Sequence, residues 1–264
     1  MQKKIVAIGG GENGRTLPDG TKRAYETGPM DKEIIRLTGK DKPNFLFLGH
    51  AQPVNIQKSY YATMKKIYED MYGCSCKILK SNELRDEEKV QELVEWADII
   101  YEGGGNTLDM IKLWQNTGFD KVLKKAWEEG KVLCGVSAGA CCWFKECSTD
   151  SLKILYGKDQ PFIAIDCLGF FDGLFTPHCD EDNRYESTKE LLKDKDIVGI
   201  LLSNCSALEI IDDKYKLITS DAKNHGIEAY ALKAYYIDGK YHEEKIDNID
   251  EFKNLKELLT KKEK

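Results

Sequence analysis

One serine of the chain lies in a pentapeptide typical of an enzymatic nucleophile. Gly135-Val136-Ser137-Ala138-Gly139 fits GxSxG, after the apolar stretch VLCGV and before AGACCWFKE, a segment that can open a helix. A sharp strand-to-helix turn strains its central residue, requires small neighbours and exposes the central hydroxyl. The N–H of Ala138 then lies at a helix N-terminus and can donate to an oxyanion. The pattern predicts a nucleophile at Ser137, with a packed structural turn as the alternative.

A serine hydroxyl needs a base, and a histidine is the usual one. His178 follows the apolar run GLFTP, which favours a strand that ends at Pro177 and delivers the imidazole to the sheet's carboxyl edge. An ordinary loop histidine is the alternative interpretation. His50, at the end of FLFLGH, is the second candidate base.

An acid should orient the base, and we consider four of the acids between Ser137 and His178. Asp150 is the first choice, because the turn-forming segment STDS could return it to the site. Glu146 is the second choice. The other two acids are Asp166 and Asp172.

Two glycine-rich stretches follow apolar runs, and each could cradle an anion. Gly9, Gly11 and Gly14 have GxGxxG spacing, but the following RTLPDGTKR reads as a turn, so a dinucleotide site is weakly indicated. In the second stretch, YEGGGNT (101–107), Asn106 or Thr107 should cap a helix, and the glycines would present backbone N–H groups where a second oxyanion donor is needed. A capped turn without a ligand is the alternative.

Apolar runs alternate with amphipathic segments up to about residue 205, which predicts an α/β fold with a doubly wound, mainly parallel sheet. The expected strands cover 5–9, 45–49, 76–80, 98–105, 132–136 and 198–202. Beyond residue 205, alternating β-rich runs and Asp238-Gly239 predict added antiparallel hairpins. No linker composition is present, so we expect one domain over 1–264, with a core of about 4–210 and hairpins plus a helix over 207–264.

The net charge of −6 and the pI near 5.5 argue against nucleic acid as a partner. The N-terminus reads as a first strand rather than a signal peptide, and no stretch is long enough to span a membrane. Nine cysteines, an odd number, are expected as reduced thiols in a cytoplasmic protein. Their spacing and that of the four histidines predict neither a metal site nor a cofactor, and no pattern indicates an oligomeric state.

In combination, YEGGGNT (101–107), GVSAGA (135–140) and Pro177-His178 resemble peptidase family S51, which includes dipeptidase E and cyanophycinase. The similarity spans about residues 4 to 210. It implies a class I glutamine amidotransferase-like, flavodoxin-like fold and a serine peptidase that hydrolyses short peptides, Asp-X dipeptides among them.

By the same resemblance Ser137 is the nucleophile and His178 the general base. Gly104 and Gly105, with Ala138, would supply the oxyanion site, and Asn106 would line it. Arg184 could pair with a substrate carboxylate, although the segment CDEDNRYE that carries it is acidic. Two other classes remain: a non-catalytic ligand-binding protein on the same scaffold, and a nucleotide-dependent oxidoreductase that uses Gly9 to Gly14.

Overall fold

Two mixed sheets and the helices that cover them make up the chain, and the computed structural model describes residues 1–17, 19–249 and 251–262. The strands are β1 Lys4–Ile8, β2 Asn44–Phe47, β3 Ser75–Ile78, β4 Ile99–Glu102, β5 Val132–Val136, β6 Phe144–Thr149, β7 Ile163–Asp166, β8 Phe171–Thr176, β9 Gly199–Leu202, β10 Ser206–Ile211, β11 Lys214–Thr219, β12 Ala231–Ile237, β13 Lys240–Ile246 and β14 Lys253–Asn254. The α-helices are α1 Gly28–Leu37, α2 Val54–Lys65, α3 Glu87–Trp96, α4 Thr107–Thr117, α5 Phe119–Glu128, α6 Ala138–Cys141, α7 Ser151–Tyr156, α8 Arg184–Leu192 and α9 Leu255–Leu259. A π-helical turn, Lys66–Met71, prolongs α2.

The first sheet has the strand order β14-β11-β10-β1-β5-β4-β2-β3. Five neighbouring strands of this sheet are mutually parallel, as the alternation of apolar and amphipathic segments predicts. In sheet order they are β1, β5, β4, β2 and β3. β10, β11 and β14 extend it with antiparallel pairings. Because the carboxyl ends of β1, β4 and β5 lie side by side, the loops that follow these three strands meet at one edge of the sheet.

The second sheet has the order β13-β12-β9-β8-β6-β7. β6, β8 and β9 are parallel, while β7, β12 and β13 pair antiparallel. The Asp238-Gly239 turn joins β12 to β13, with both residues at positive φ, as expected for a two-residue hairpin. The fold is therefore α/β with two mixed sheets, not the one mainly parallel sheet that the sequence favours.

The second sheet begins where the sequence predicts a helix. The helix after Ser137 has only four residues, and the chain then runs into β6. Trp143 and Phe144 are fully buried at this change of direction and stack on aromatic rings of neighbouring segments. Burial of these two large side chains outweighs continuation of the helix. One cluster of buried residues spans both sheets, from Ile5 of β1 to Ile246 of β13.

The cysteines differ from the expectation of reduced thiols at one place. Cys141 of α6 forms a disulfide with Cys147 of β6. The other seven cysteines are free thiols, five of them buried. The disulfide crosses from the first sheet's elbow helix to the second sheet. Among the described residues, no helix combines the length and the apolar character needed to cross a membrane.

Candidate active site

Ser137 is the single residue between β5 and α6, and it forms a sharp turn with φ 56° and ψ −112°. A non-glycine residue rarely adopts positive φ, so the conformation is strained. The turn packs closely against the end of β4. A Cβ at Gly135 would lie 2.4 Å from the carbonyl oxygen of Glu102, and one at Gly139 would lie 2.1 Å from the same atom. The elbow therefore needs glycine at both flanks, as the GxSxG pattern predicts.

His178 follows β8 by two residues, at the carboxyl end that the sequence predicts for it. Its backbone also has positive φ, 48°, and its N–H donates to the carbonyl oxygen of Gly9 at 3.1 Å. The Gly9–Gly11 segment in turn holds Cys205, whose N–H donates to the carbonyl of Gly10 at 3.0 Å. The end of β1 thus aligns the loop of His178 with the loop after β9.

The ring of His178 is held by an asparagine. Its Nδ1 lies 2.9 Å from Oδ1 of Asn204, which is buried in the loop after β9. Nδ2 of Asn204 donates to Asp180 at 3.0 Å and to Glu181 at 2.7 Å. Carboxylates only accept, so these two bonds fix the orientation of the amide, and Oδ1 must accept from His178. His178 therefore carries its proton on Nδ1 and leaves Nε2 with a lone pair.

Burial, with a smaller contribution from the Arg184 guanidinium, lowers the pKa of His178 below its ordinary value of 6.5. Glu181, Asn204 and Asp180 act in the opposite direction without reversing the shift. The imidazole is consequently neutral at neutral pH, which is the form a general base requires.

Ser137 and His178 both open into one cavity of about 740 Å³. One wall is the segment from Gly11 to Leu17, which folds back on itself through bridges of Asn13 with Tyr25 and of Thr16 with Lys22. The opposite wall is α2 and the loop before it. Within the part of the chain that the structure describes, Ser137 Oγ neither donates nor accepts a hydrogen bond. The cavity matches a small ligand in size.

The GGGNT stretch lies beside the elbow. A Cβ at Gly104 would be only 3.3 Å from Cβ of Ser137, so Gly104 leaves room next to the hydroxyl. The N–H of Gly104 donates to the Tyr60 hydroxyl at 3.3 Å. The N–H groups of Gly105 and Ala138 have no acceptor among the described residues, although neither residue is among those that line the cavity.

Asn106 has a structural task instead of a place in the cavity. Its Oδ1 accepts from the N–H of Asp109 at 3.1 Å and caps α4, as the sequence predicts. Its own N–H donates to the carbonyl of Ala51 at 2.8 Å. The expectation that Asn106 lines the site is not supported.

The structure does not bring Asp150 to His178. Asp150 immediately precedes α7 and accepts from Nη2 of Arg184 at 2.7 Å, and Asn204 occupies the position beside Nδ1 of His178. Arg184 is only 6% exposed and also lies 4.7 Å over the ring of Phe162. The charge of Arg184 is already paired with Asp150. Asp150 therefore does not orient His178, and Arg184 is not free to bind a substrate carboxylate. Glu146, which lies on β6, forms an ion pair with Lys195.

His50, the second candidate base, is also excluded. Trp114 Nε1 donates to its Nδ1 at 2.9 Å, so Nε2 must carry the proton, which it donates to the Leu79 carbonyl at 2.8 Å. Burial lowers its pKa to about 4. With both ring nitrogens engaged, His50 is a neutral structural residue.

Gly9 to Gly14 do not form a dinucleotide fingerprint. They lead into the folded-back segment that walls the cavity, and the next helix, α1, begins only at Gly28. Gly10 has a different use, because a Cβ there would lie 2.2 Å from Oδ1 of Asn204 and 2.3 Å from Nδ1 of His178. Its missing side chain makes room for the His178–Asn204 pair.

Two groups of side chains could hold a cation beside the cavity. Their ligand atoms lie within 4.8 Å of one another, and the groups are Glu26, Cys205 and His225, and Asp180, Glu181 and His225. In the first group, Glu26 already accepts from His225 Nε2 at 2.9 Å and from the N–H of Glu12 at 2.8 Å. These bonds satisfy the carboxylate without an ion.

Sequence reasoning missed Asn204. The search for an orienting group was confined to acids between Ser137 and His178. Asn204 lies beyond both, two residues after β9, which is itself hydrogen-bonded to the strand that carries His178. The polar pair Ser203-Asn204 directly after the apolar run VGILL was the available signal.

Comparison with known proteins identifies the family of the chain. The model of peptidase family S51 matches residues 17–218. An uncharacterized peptidase, YgaJ, of Bacillus subtilis (strain 168) is 31% identical over 235 residues, which cover 87% of this chain and 92% of that protein.

Two solved structures share the fold. A peptidase from an acI-B1 actinobacterium superposes with a TM-score of 0.68 at 20% identity, covering 96% of this chain and 97% of that one. A putative peptidase E of Listeria monocytogenes EGD-e gives a TM-score of 0.58 at 17% identity, covering 84% of this chain and 100% of that one. With the serine elbow and the family match lying in the same part of the chain, this protein belongs to peptidase family S51.

Proposed function

We propose that this protein is a serine peptidase that hydrolyses short peptides, with Ser137 as nucleophile and His178 as general base. The observation that carries the proposal is the tautomer of His178. Because Asn204 accepts from Nδ1, the basic Nε2 remains for the cavity into which Ser137 also opens. A neutral imidazole there can remove the proton of a serine hydroxyl.

In the proposed reaction Ser137 Oγ attacks the substrate carbonyl and its proton passes to Nε2 of His178. The N–H groups of Ala138 and Gly105 stabilise the negative oxygen of the tetrahedral intermediate. The C–N bond then breaks, the leaving amine takes the proton from His178, and an acyl-serine remains. Water, deprotonated by His178, hydrolyses this ester and restores the free hydroxyl. The hydrogen bond between Ser137 Oγ and His178 Nε2, which the free protein lacks, forms when substrate fills the cavity.

Asn204 takes the orienting role that an acid holds in many triads, as an asparagine does in papain-like proteases. The amide fixes the ring and its tautomer without a charge of its own. Asp180 and Glu181 polarise that amide through its N–H groups and thereby favour the imidazolium that forms during the reaction.

Histidines aside, Glu12, Arg15 and Glu181 are the acidic and basic residues that line the cavity, and Arg15 is already paired with Glu12 at 3.0 Å. Glu181 therefore favours neutral or amino-terminal groups over an acidic side chain. Glu181 lines the cavity, and neither Glu181 nor Asp180 has a cationic partner among the described residues. Arg184, the candidate for binding an aspartate side chain, is buried against Asp150. We therefore infer a substrate range centred on short peptides without an acidic first residue.

The test is hydrolysis of a panel of dipeptides and tripeptides, Asp-X peptides included, read by mass spectrometry. Wild type should cleave, and Ser137→Ala should lose cleavage by at least about 10³-fold. Ser187→Ala, on α8 and away from the cavity, is the matched control and should retain activity. If folded wild type cleaves no peptide and a serine-directed probe leaves Ser137 unlabelled, a non-catalytic ligand-binding protein replaces this proposal.

A further inference from the structure

Glu102 lies directly beneath the nucleophile elbow. It is the last residue of β4, is fully buried and pairs with Gly135 of β5. Its carbonyl oxygen is the atom that a Cβ at Gly135 or Gly139 would strike, at 2.4 and 2.1 Å. The backbone of Glu102 is thus the surface against which the Ser137 turn packs.

The side chain of Glu102 reaches the other half of the oxyanion site. Its Oε1 accepts from the N–H of Ala51 at 3.1 Å. The Ala51 carbonyl accepts from the N–H of Asn106 at 2.8 Å, and Nε2 of Gln52 donates to the carbonyl of Gly104 at 2.8 Å. One carboxyl group therefore holds the short segment that fixes both ends of the Gly104–Asn106 loop.

Among the described residues, no cationic side chain pairs with this carboxyl group. The titratable side chains that interact with it are Tyr60 from α2 and Cys142 from the end of α6, while His50, from the loop after β2, faces it with its backbone N–H. His50 is neutral for the reason given above, and burial raises the pKa values of Tyr60 and Cys142. Oε2 of Glu102 has no hydrogen-bond partner among the described residues. A buried carboxylate without a cation is costly, so the protonated acid is favoured.

We propose that Glu102 is a positioning residue, an uncharged carboxylic acid that keeps the Gly104–Asn106 loop aligned with the Ser137 elbow. The inference rests on the proposed serine-peptidase function. It assigns to Glu102 no contact with substrate; the residue acts through Ala51 and through the elbow glycines. Consistent with this, burial raises the pKa of Glu102 to about 8, although backbone N–H groups of Ala51, His50 and Gly103 oppose the shift.

The first test reads ionisation without any need for activity. The folded-state pKa, about 8, lies above the ordinary 4.5, so the contribution of Glu102 to stability is complete below pH 4.5 and is lost as pH rises towards 8. Glu102→Gln keeps the shape and the acceptor but cannot ionise. Its melting temperature relative to wild type should rise by several degrees between pH 5 and pH 9. The exposed control Glu95→Gln should show no such trend, and parallel curves for Glu102→Gln and wild type would overturn the proposal.

The second test separates positioning from folding. Glu102→Ala should lower kcat by about 10²-fold with little change in KM, the effect of a misplaced oxyanion donor. Glu102→Gln should restore most of kcat at pH 7 and abolish the decline of wild-type activity above pH 8. An unimpaired Glu102→Ala enzyme, or equal loss in both variants, contradicts the proposal. A wild type that cleaves nothing contradicts the peptidase function instead, and the melting curves still decide whether Glu102 is uncharged.

Discussion

Replacement of Gly10 by alanine should damage the site without unfolding the protein. Gly10 lies outside the left-handed region of backbone conformation, so alanine is opposed only by its neighbours. The new Cβ would lie 2.2 Å from Oδ1 of Asn204, 2.3 Å from Nδ1 of His178 and 2.5 Å from Cε1 of His178. All three atoms belong to the hydrogen-bonded pair that sets the tautomer of the base.

The magnitude follows from these distances. An ordinary contact begins at 3.4 Å, so the imidazole or the amide must move by about 1 Å, and a displacement of about 1 Å can cost about 10²-fold in rate. We therefore expect kcat/KM to fall by about 10²-fold, or about 2.7 kcal/mol of transition-state stabilisation.

The assay is steady-state hydrolysis of the best peptide from the panel, with circular dichroism and thermal melting to show that the fold persists. Gly173→Ala in β8 is the matched control, because its Cβ would approach a Leu259 methyl at 3.3 Å, the Val198 carbonyl oxygen at 3.4 Å and Phe144 Cδ1 at 3.6 Å, with no contact under 3.3 Å. It should keep wild-type kcat/KM. A folded Gly10→Ala protein with wild-type kcat/KM would refute the assignment of the His178–Asn204 pair.

Asp150→Ala should leave kcat/KM nearly unchanged. It should lower the free energy of unfolding, measured in urea, by about 2 kcal/mol, because buried Arg184 loses its carboxylate partner. A large loss of kcat would instead identify Asp150 as the orienting acid. The contribution of His50 to the free energy of unfolding should fall by about 3 kcal/mol as pH drops from 6.5 to 4, since its folded-state pKa, about 4, lies below the ordinary 6.5. Denaturation of His50→Gln over the same range should lack this contribution, and an identical slope would contradict it. Glu181→Gln should raise Asp-X hydrolysis relative to Ala-X by about fivefold, the effect of one charge removed a few ångströms away in water. Exposed Glu190→Gln should leave that ratio unchanged, and no change in either variant would remove Glu181 from substrate selection.

Local patterns predicted the parts of the site that local geometry determines. The strand before Ser137, the glycines at its flanks and the strand end before His178 follow from residue size and apolar runs, and the structure has all of them. The cap at Asn106 likewise depends only on neighbours within one helical turn.

Residues whose role depends on a distant partner were beyond such reasoning. Asp150 and Arg184 satisfy each other across 34 positions, and Asn204 meets His178 across 26. The second sheet was missed for a similar reason, since AGACCWFKE is compatible with a helix until Trp143 and Phe144 find a core to enter. Long-range packing overrode local preference at each of these places.

Ser137 and His178 are held at positive φ, a conformation that costs a residue with a side chain roughly 1 kcal/mol or more. Glycine would remove that backbone cost at either position, so the backbone conformation at each site would be less strained without the side chain that the reaction requires. Backbone strain and catalysis thus place opposite demands on the same two positions. In a relative that no longer needs catalysis, glycine would be acceptable at both positions. A chain that keeps serine and histidine there retains the backbone strain because its reaction needs both side chains.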